Sequence, residues 1–250
     1  MTRPLLEVSG LQKRFGAVEA CRNFSLQIAE GEIHALIGPN GAGKTTAIKQ
    51  LSGEILPDAG RIQFAGQEIT HLPAHERALC GLARSFQITS VFERMTSEEN
   101  LALAIQAHQG HSFHFWRNAC NDKRLRSPAR AGLERIGLLE RSQVLAANLS
   151  HGEKRQLEVG MALAGDPKLL LLDEPMAGMG PGGTVKMTEL IRTLKGQVTI
   201  LLVEHDMNAV FALADRITVL LYGTPIATGT PDEISANAEV RRAYLGEETG

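Results

Sequence analysis

The chain has 250 residues and a formal net charge of −2, with 43% hydrophobic and 22% charged residues. This composition is typical of a globular protein that buries a sizeable core, and it excludes a disordered or low-complexity chain. The near-neutral charge argues against a nucleic-acid-binding surface over a whole domain, and three cysteines without a CxxC pair argue against a disulfide framework or a zinc knuckle.

The longest apolar runs, 169–172 and 198–203, are far shorter than the roughly 20 residues of a membrane-spanning helix. The first residues also lack the apolar core of a signal peptide, because Glu7 and Lys13 interrupt it. If the protein serves a membrane, we expect it to do so as a peripheral protein on the cytoplasmic face.

Alternating and apolar segments predict strands in the N-terminal third of the chain. These strands cover residues 5–11, 24–28, 33–37, 61–64 and 82–86, and a helix is predicted for 46–51. The region therefore combines antiparallel hairpins with one strand–loop–helix unit.

Helical periodicity dominates from about residue 86 to 149, with predicted helices near 97–108 and 129–136 and no strong strand. Further on, the pattern alternates between strands and helices. The strands are predicted at 168–172, 199–203 and 216–221, and the helices near 183–194 and 208–214. Such alternation is typical of parallel strand–helix units, so the helical segment is interpreted as an insertion within one α/β domain.

A glycine-rich loop, Gly38-Pro-Asn-Gly-Ala-Gly-Lys44-Thr45, follows a predicted strand and precedes a helix, as the phosphate-binding pattern G-x-x-x-x-G-K-[ST] requires. Glycines allow backbone N–H groups to surround phosphates, and the N-terminus of the helix favours anions. Lys44 is expected to reach the β- and γ-phosphates of ATP, and the Thr45 hydroxyl to bind Mg²⁺. The residues assigned to nucleotide binding here are Gly38, Pro39, Asn40, Gly41, Ala42, Gly43, Lys44, Thr45 and Thr46. The alternative is a glycine-rich turn with an exposed lysine.

Two acidic residues, Asp173 and Glu174, follow a buried apolar strand. Ligands of parallel sheets gather at the carboxyl ends of strands, so Asp173 is expected to support Mg²⁺ and Glu174 to orient or deprotonate the attacking water. A solvated turn is the alternative, and the glycine loop favours the functional interpretation.

Ser150 and Glu153 precede an apolar periodic stretch and predict a helix capping box. A helix N-terminus with a free serine hydroxyl and the nearby Gly152 also suits an anion. The segment Leu149-Ser-His-Gly-Glu153 resembles the signature Leu-Ser-Gly-Gly-Gln of ABC (ATP-binding cassette) ATPases, with His151 and Glu153 as departures. The resemblance implies that Ser150 and Gly152 contact ATP bound to a second subunit.

The resemblance assigns three further residues. It makes Gln87 the glutamine that senses Mg²⁺ and the attacking water and couples to the membrane partner, and His205 the histidine that contacts the γ-phosphate. Phe15 matches the aromatic residue that stacks on adenine, with a core phenylalanine as the alternative. The expected catalytic residues are thus Glu174, His205, Gln87 and Lys44, and the expected Mg²⁺ ligands are Thr45, Gln87 and Asp173.

Within the family, the chain is similar to the ATPases of branched-chain amino-acid (Liv-type) importers. The segments that carry this similarity are Gly81-Leu-Ala-Arg-Ser-Phe-Gln87, Leu149-Ser-His-Gly-Glu153, Asp173-Glu-Pro-Met-Ala-Gly-Met-Gly-Pro181, Val203-Glu-His-Asp-Met207 and Ala243-Tyr-Leu-Gly246. The resemblance implies a P-loop NTPase fold of the ABC type, with a mixed core sheet, an antiparallel β subdomain and a helical subdomain inserted at about 87–165 of one domain spanning 1–250. The ATPases of lipopolysaccharide exporters and of urea or amide importers are alternatives.

The expected partners are integral-membrane permease subunits, a second ATPase subunit and, indirectly, a solute-binding protein. Many ABC proteins carry an aspartate where this chain has Gly180, and that aspartate reaches toward the opposite phosphate loop. The absence of this side chain predicts a non-identical second ATPase.

Two other functions are weighed and rejected. A basic cluster could bind nucleic acid, but a solvated helix face or lipid headgroups explain it more simply, and the chain has one cassette without a long coiled coil. The cluster is Arg117, Lys123, Arg124, Arg126 and Arg130. His108, His111, His114 and Cys120 could suggest a second metal, but their spacing does not bring them to one helix face.

Overall fold

The computed structural model describes residues 3–85, 91–108 and 123–245. The strands are β1 Leu6–Phe15, β2 Val18–Ile28, β3 Ile33–Ile37, β4 Ala59–Phe64, β5 Gln67–Glu68, β6 Leu82–Arg84, β7 Leu169–Asp173, β8 Thr199–Val203, β9 Arg216–Leu221 and β10 Thr224–Gly229. The helices are α1 Lys44–Ser52, α2 Ala74–Leu79, α3 Ser97–His108, α4 Lys123–Arg135, α5 His151–Leu163, α6 Pro181–Leu194, α7 Met207–Leu213, α8 Pro231–Ala236 and α9 Ala238–Leu245.

The strands form two sheets. One is antiparallel with the order β2-β1-β4-β5, and the other has six strands in the order β10-β9-β3-β8-β7-β6. The six-stranded sheet is parallel except for its edge strand β10, which is antiparallel to β9. The expected mixed core sheet and antiparallel sheet are therefore confirmed.

The central strands are apolar because both of their faces are covered. In β7, Leu169 and Leu171 belong to the apolar cluster shared with α1 and the antiparallel sheet, whereas Leu170 and Leu172 belong to the cluster formed with the helices. Every residue of β3, β7 and β8 is buried. A continuous apolar run is the expected signature of a parallel strand between two layers.

Most predicted elements are confirmed, several at their predicted bounds: the strands 33–37, 199–203 and 216–221 and the helix 97–108. The helix predicted near 129–136 begins earlier, at Lys123, with Pro128 inside it. The prediction was wrong at this end because proline usually marks the first turn of a helix. The strand predicted for 82–86 ends at Arg84, so the prediction was wrong at Ser85, and Phe86 lies outside the described residues.

Five short elements were not predicted from the sequence: β5, β10, α2, α8 and α9. α3, α4 and α5 lie between β6 and β7 in the chain and contact one another. None of the helices in the described ranges is both long and apolar enough to span a bilayer.

Candidate functional site

The glycine loop connects β3 to α1 and lies in close contact with neighbouring backbone. A Cβ atom at Gly38 would lie 2.2 Å from the Leu220 carbonyl oxygen, and one at Gly43 would lie 2.2 Å from the Ala20 carbonyl oxygen. Gly43 also has a φ of 101°, which disfavours residues with a side chain. These two positions therefore require glycine for packing as well as for conformation.

The N-terminus of α1 is held in place by backbone hydrogen bonds and has no side-chain cap. The Gly223 N–H donates to the Ala42 carbonyl over 2.8 Å, and the Arg22 N–H donates to Gly223 over 2.8 Å. Gly43 occupies the N-cap position without a side-chain hydrogen bond to the helix. The N–H groups of the first turn are thus oriented for an anion such as phosphate.

Lys44 is buried next to this loop, with 7% of its surface exposed. Its ammonium donates to the carbonyl oxygens of Gly38 (2.6 Å) and Pro39 (3.1 Å). Burial lowers the pKa of Lys44, and the nearby charges of Glu174 and Asp173 partly oppose that shift. The lysine is therefore a desolvated cation facing the acidic end of β7.

Asp173 is the last residue of β7 and is 2% exposed. Burial raises its pKa, although the charge and hydrogen bond of Arg84 act in the opposite direction. Arg84 donates through Nη2 to Asp173 Oδ2 over 3.0 Å, and its Nη1 pairs with Glu54. The carboxylate is thus fixed by an ion pair on the side of the edge strand β6.

Glu174 follows in an uncommon backbone conformation, with a φ of 50°. Its N–H donates to the Val203 carbonyl over 2.9 Å, and its own carbonyl accepts from the Ala177 N–H over 3.1 Å. Positive φ is costly for a residue with a Cβ and is often found at functional sites. Two hydrogen bonds therefore hold this half-buried residue in a turn directly after β7.

His205 follows β8, and its side chain is 64% exposed. The next residue, Asp206, is the N-cap of α7 and accepts hydrogen bonds from the N–H groups of Asn208 and Ala209. This cap fixes the place where the strand ends and the helix begins.

Three neighbouring parallel strands bring these residues to one edge of the sheet. β8 pairs with both β3 and β7, and Val203 is opposite Leu36 on one side and Asp173 on the other. The glycine loop, the acidic pair and His205 therefore share the carboxyl edge, as predicted. Gln87 lies outside the described residues.

Ser150 and Gly152 lie at the N-terminus of α5. The predicted capping box is present: Glu153 N–H donates to Ser150 Oγ (3.3 Å) and Ser150 N–H donates to Glu153 Oε2 (2.9 Å). The Ser150 hydroxyl, expected to be free, is not, because it donates to Glu153 Oε2 over 2.9 Å. Near α5, His151 Nε2 lies 3.2 Å from the carbonyl oxygen of Ala177.

Phe15 ends β1 and is 51% exposed, so the alternative of a core phenylalanine is wrong. The Lys13 ammonium lies 5.8 Å from the centre of its ring. An exposed aromatic face of this kind is available for stacking.

No group of three or more His, Cys, Asp or Glu side chains in the described ranges is placed to hold a metal ion. His108 lies against Gly165, where a Cβ atom would meet its ring at 2.5 Å. His111, His114 and Cys120 lie outside the described residues.

Two residues of this site, Arg84 and Glu204, were missed by reasoning from the sequence. Both belong to segments quoted above, but their importance depends on their contacts: Arg84 with Asp173, and Glu204 with the backbone of Met176 and His205. Glu204 directly follows a buried parallel strand, as Glu174 does, so the same pattern could have identified it.

A parallel sheet with a glycine loop after one strand and an acidic pair after another defines a P-loop nucleoside-triphosphatase. The family model described as ABC transporter matches residues 21–177, and the model described as branched-chain amino acid ATP-binding cassette transporter matches residues 224–249. The chain belongs to the ABC transporter family, and it is an ATP-binding ATPase.

Relatives in bacteria match over the whole length. The high-affinity branched-chain amino acid transport ATP-binding protein LivG is 43% identical in Salmonella typhimurium and 44% identical in Escherichia coli K12, and each alignment covers 99% of this chain and 100% of the relative. The corresponding protein BraF of Pseudomonas aeruginosa is 40% identical with the same coverage.

Solved structures of ATP-binding cassettes have a fold similar to that of this chain. The ADP conformation of an ATP-binding cassette of an ABC transporter has a TM-score of 0.86 and 28% identity, covering 98% of this chain and 100% of that one. A nucleotide-free cassette from an ABC transporter has a TM-score of 0.84 and 27% identity, covering 96% and 98%.

Proposed function

We propose that this chain hydrolyses ATP to energise an importer of branched-chain amino acids. The observation that carries the proposal is the agreement between the C-terminal family match at residues 224–249 and the full-length similarity to the LivG and BraF proteins. The carboxyl edge of the sheet supplies the residues for hydrolysis.

The glycine loop binds the nucleotide. Backbone N–H groups of the loop surround the phosphates, with Pro39 contributing none, and Lys44 exchanges its two carbonyl partners for the β- and γ-phosphate oxygens. Phe15 stacks on adenine, while Ser150 and Gly152 contact the nucleotide of a second ATPase subunit.

The donor set at this edge suits Mg²⁺, which prefers hard oxygen ligands and keeps several waters. The hydroxyl of Thr45, exposed in the first turn of α1, and the carboxylate of Asp173 are such donors, and Gln87 is the third proposed ligand. When bound, the ion supplies positive charge that neutralises the phosphates.

Hydrolysis itself depends on two residues. Glu174 orients or deprotonates the attacking water from its turn after β7, and His205 contacts the γ-phosphate from its exposed position after β8. Gln87 links this chemistry to the membrane partner.

The partners proposed for the chain are integral-membrane permease subunits, a second and non-identical ATPase and, indirectly, a solute-binding protein, with no nucleic acid. We place the chain as a peripheral protein on the cytoplasmic face of the membrane. It forms one nucleotide-binding domain, residues 1–250, and the permease docks on the helical segment inserted at about 87–165.

The test compares Glu174→Gln with Lys44→Ala in the ATPase reconstituted with its permease. Glu174→Gln should keep ATP affinity and lower turnover by at least about 10²-fold, since a general base contributes about 10²–10⁴. Lys44→Ala should instead weaken ATP binding, measured with a fluorescent ATP analogue. Normal turnover of Glu174→Gln would contradict the role of Glu174, and unchanged affinity of Lys44→Ala would contradict the role of the loop.

A further inference from the structure

Two loops meet at the carboxyl ends of β7 and β8: the turn that carries Glu174, and the segment that begins at His205. A buried carboxylate, that of Glu204, lies between them. None of its side chain is exposed to solvent. A carboxylate without contact to water is stable in a protein only when donors satisfy its oxygens.

The donors that satisfy Glu204 come from both loops. Its Oε1 accepts from the Met176 N–H over 2.9 Å, and its Oε2 accepts from the His205 N–H over 3.1 Å. Nδ1 of the His205 side chain also lies 3.8 Å from Oε2. Burial raises the pKa of Glu204, and the backbone hydrogen bonds oppose that shift because they favour the charged form. The side chain therefore joins the two loops as an acceptor at both of its oxygens.

The bond to Met176 acts on a strained turn. Glu174 has a φ of 50°, and the hydrogen bonds from its N–H to Val203 and from Ala177 N–H to its carbonyl enclose Met176 within the same turn. A positive φ in a residue with a side chain persists only when several surrounding contacts hold the backbone in place. Glu204 supplies the additional restraint from β8.

We propose that Glu204 is a positioning residue that aligns Glu174 and His205 with each other for hydrolysis. The inference rests on the proposed function, because it assumes that these two residues act on the water and the γ-phosphate. The Glu204 side chain is fully buried, so we assign it no direct contact with the nucleotide. It acts by fixing the turn after β7 and the first backbone N–H after β8 to one rigid group.

The two hydrogen bonds that Glu204 accepts require a carboxylate and cannot both be made by an amide. A carboxylate is an acceptor at both oxygens, whereas glutamine has one acceptor and one donor group. In Glu204→Gln, the amide NH₂ therefore faces a backbone N–H, and one loop loses its bond. Because glutamine and glutamate have nearly the same size, the substitution changes the hydrogen bonds to the two loops and leaves the packing unchanged.

The experiment measures kcat, the KM for ATP and thermal unfolding of Glu204→Gln in the reconstituted transporter. We expect kcat to fall by at least about 10-fold, because small misplacements of catalytic groups have large effects on rate, with a KM within about twofold of the wild-type value. The glycine loop lies on β3 and α1, so ATP affinity should remain.

The matched control is Asp215→Asn, at the amino end of the same sheet. Asp215 Oδ2 accepts from the Ile33 N–H over 3.0 Å, and its Oδ1 pairs with Lys195 at 2.7 Å. This variant should lose thermal stability and keep kcat. An equal loss of kcat in both variants, or a normal kcat in folded Glu204→Gln, would overturn the inference.

Two further arms keep the result unambiguous. Glu174→Gln, measured in parallel, separates the proposed function from the positioning role of Glu204. If Glu174→Gln hydrolyses ATP normally, the proposed function fails. If Glu174→Gln is inactive while Glu204→Gln is normal, only the positioning role fails.

If Glu204→Gln does not fold, Glu204→Asp keeps the charge but is too short to reach both loops, and it should show the same fall in kcat. If neither variant folds, Glu204 supports the fold rather than the alignment, and the inference is wrong.

Discussion

Burial of the Lys44 ammonium costs free energy in the free protein, and the same ammonium is expected to bind the phosphates in the ATP complex. Its ammonium is removed from water and held by two carbonyl oxygens of its own loop. Burial lowers its pKa in the free protein. Bound phosphates bring negative charge next to the ammonium, and an opposite charge raises the pKa again.

This difference predicts a pH dependence of ATP binding. Because the pKa of Lys44 is lower in the free protein than in the complex, binding takes up a proton at pH values between the two. Affinity should be full below the pKa of the free protein and should fall as the pH rises through it. Titration of the Glu174→Gln protein with a fluorescent ATP analogue from neutral to alkaline pH measures this effect.

Lys44→Arg is the control for that titration, since a guanidinium stays protonated over the whole range. Its affinity for ATP is expected to be weaker but nearly independent of pH. The same decline in both proteins would show that another group titrates.

At the residue scale, the sequence identified the groups whose motifs are local. Lys44 ends the glycine loop, and Asp173 and Glu174 lie at the end of an apolar strand; both patterns are local, and the structure brings these residues to one edge of the sheet. The importance of Arg84 depends on contact with Asp173, 89 positions away, and no local pattern encodes that separation. The hydroxyl of Ser150 was misjudged for a related reason, because the capping geometry, once formed, uses the hydroxyl as well as the backbone.

Among the elements, α1 positions the glycine loop, and a buried arginine holds its other end. Arg77 is fully buried and donates to four carbonyl groups. They are those of Gln50 (2.6 Å), Leu51 (2.8 Å), Thr70 (2.9 Å) and Leu72 (2.8 Å). Two of these carbonyls belong to the last turn of α1, where helix carbonyls lack partners within the helix.

Arg77→Met should therefore destabilise the protein strongly. A buried carbonyl left without a donor costs about 1–3 kcal/mol, and partial relaxation limits the total loss to about 2–5 kcal/mol. Urea unfolding of the nucleotide-free protein measures the change. Arg61→Met, which removes an exposed arginine paired with Glu68, serves as the comparison and should leave the midpoint almost unchanged. Similar midpoints for the two variants would contradict the anchoring role of Arg77.

The elements predicted correctly are those whose burial is visible in the sequence. β3, β7 and β8 are covered on both faces, so each is a continuous apolar run with little ambiguity. β10 lies at the edge of its sheet and contains two threonines, a proline and a glycine, which gives no such pattern. The six-residue helices α2 and α8 are too short for helical periodicity to be read reliably.

In the molecule as a whole, the site is connected to a cavity of about 370 Å³ beside the edge strand β6. Arg84 and Glu54 line one side of it, and residues of α3 and α5, including His108 and Met161, line the other. Because Arg84 also binds Asp173, a change on the cavity side can reach the proposed Mg²⁺ ligand through one side chain. This arrangement is consistent with the proposed docking of a permease on the helical segment.

The proposed interface with a second ATPase involves the loop between β7 and α6. Gly180 is the N-cap of α6 with a φ of −73° and a ψ of 169°, an ordinary extended conformation for any residue. A Cβ atom there would meet nothing within 4 Å among the described residues. The backbone would therefore accept the aspartate that many ABC proteins have at this position, and its absence reflects no steric conflict in this subunit.

We expect this chain alone to be mainly monomeric, since two copies would each lack the aspartate that reaches the opposite phosphate loop. Sedimentation velocity of the ATP-loaded Glu174→Gln protein tests this, because the substitution is expected to prevent hydrolysis. Adding Gly180→Asp to that protein should increase the dimeric fraction. Asparagine caps a helix about as well as aspartate but carries no charge, so Gly180→Asn controls for stabilisation of α6. A tight dimer of the parent protein, or equal association of the Asp and Asn variants, would show that the missing carboxylate does not limit self-association.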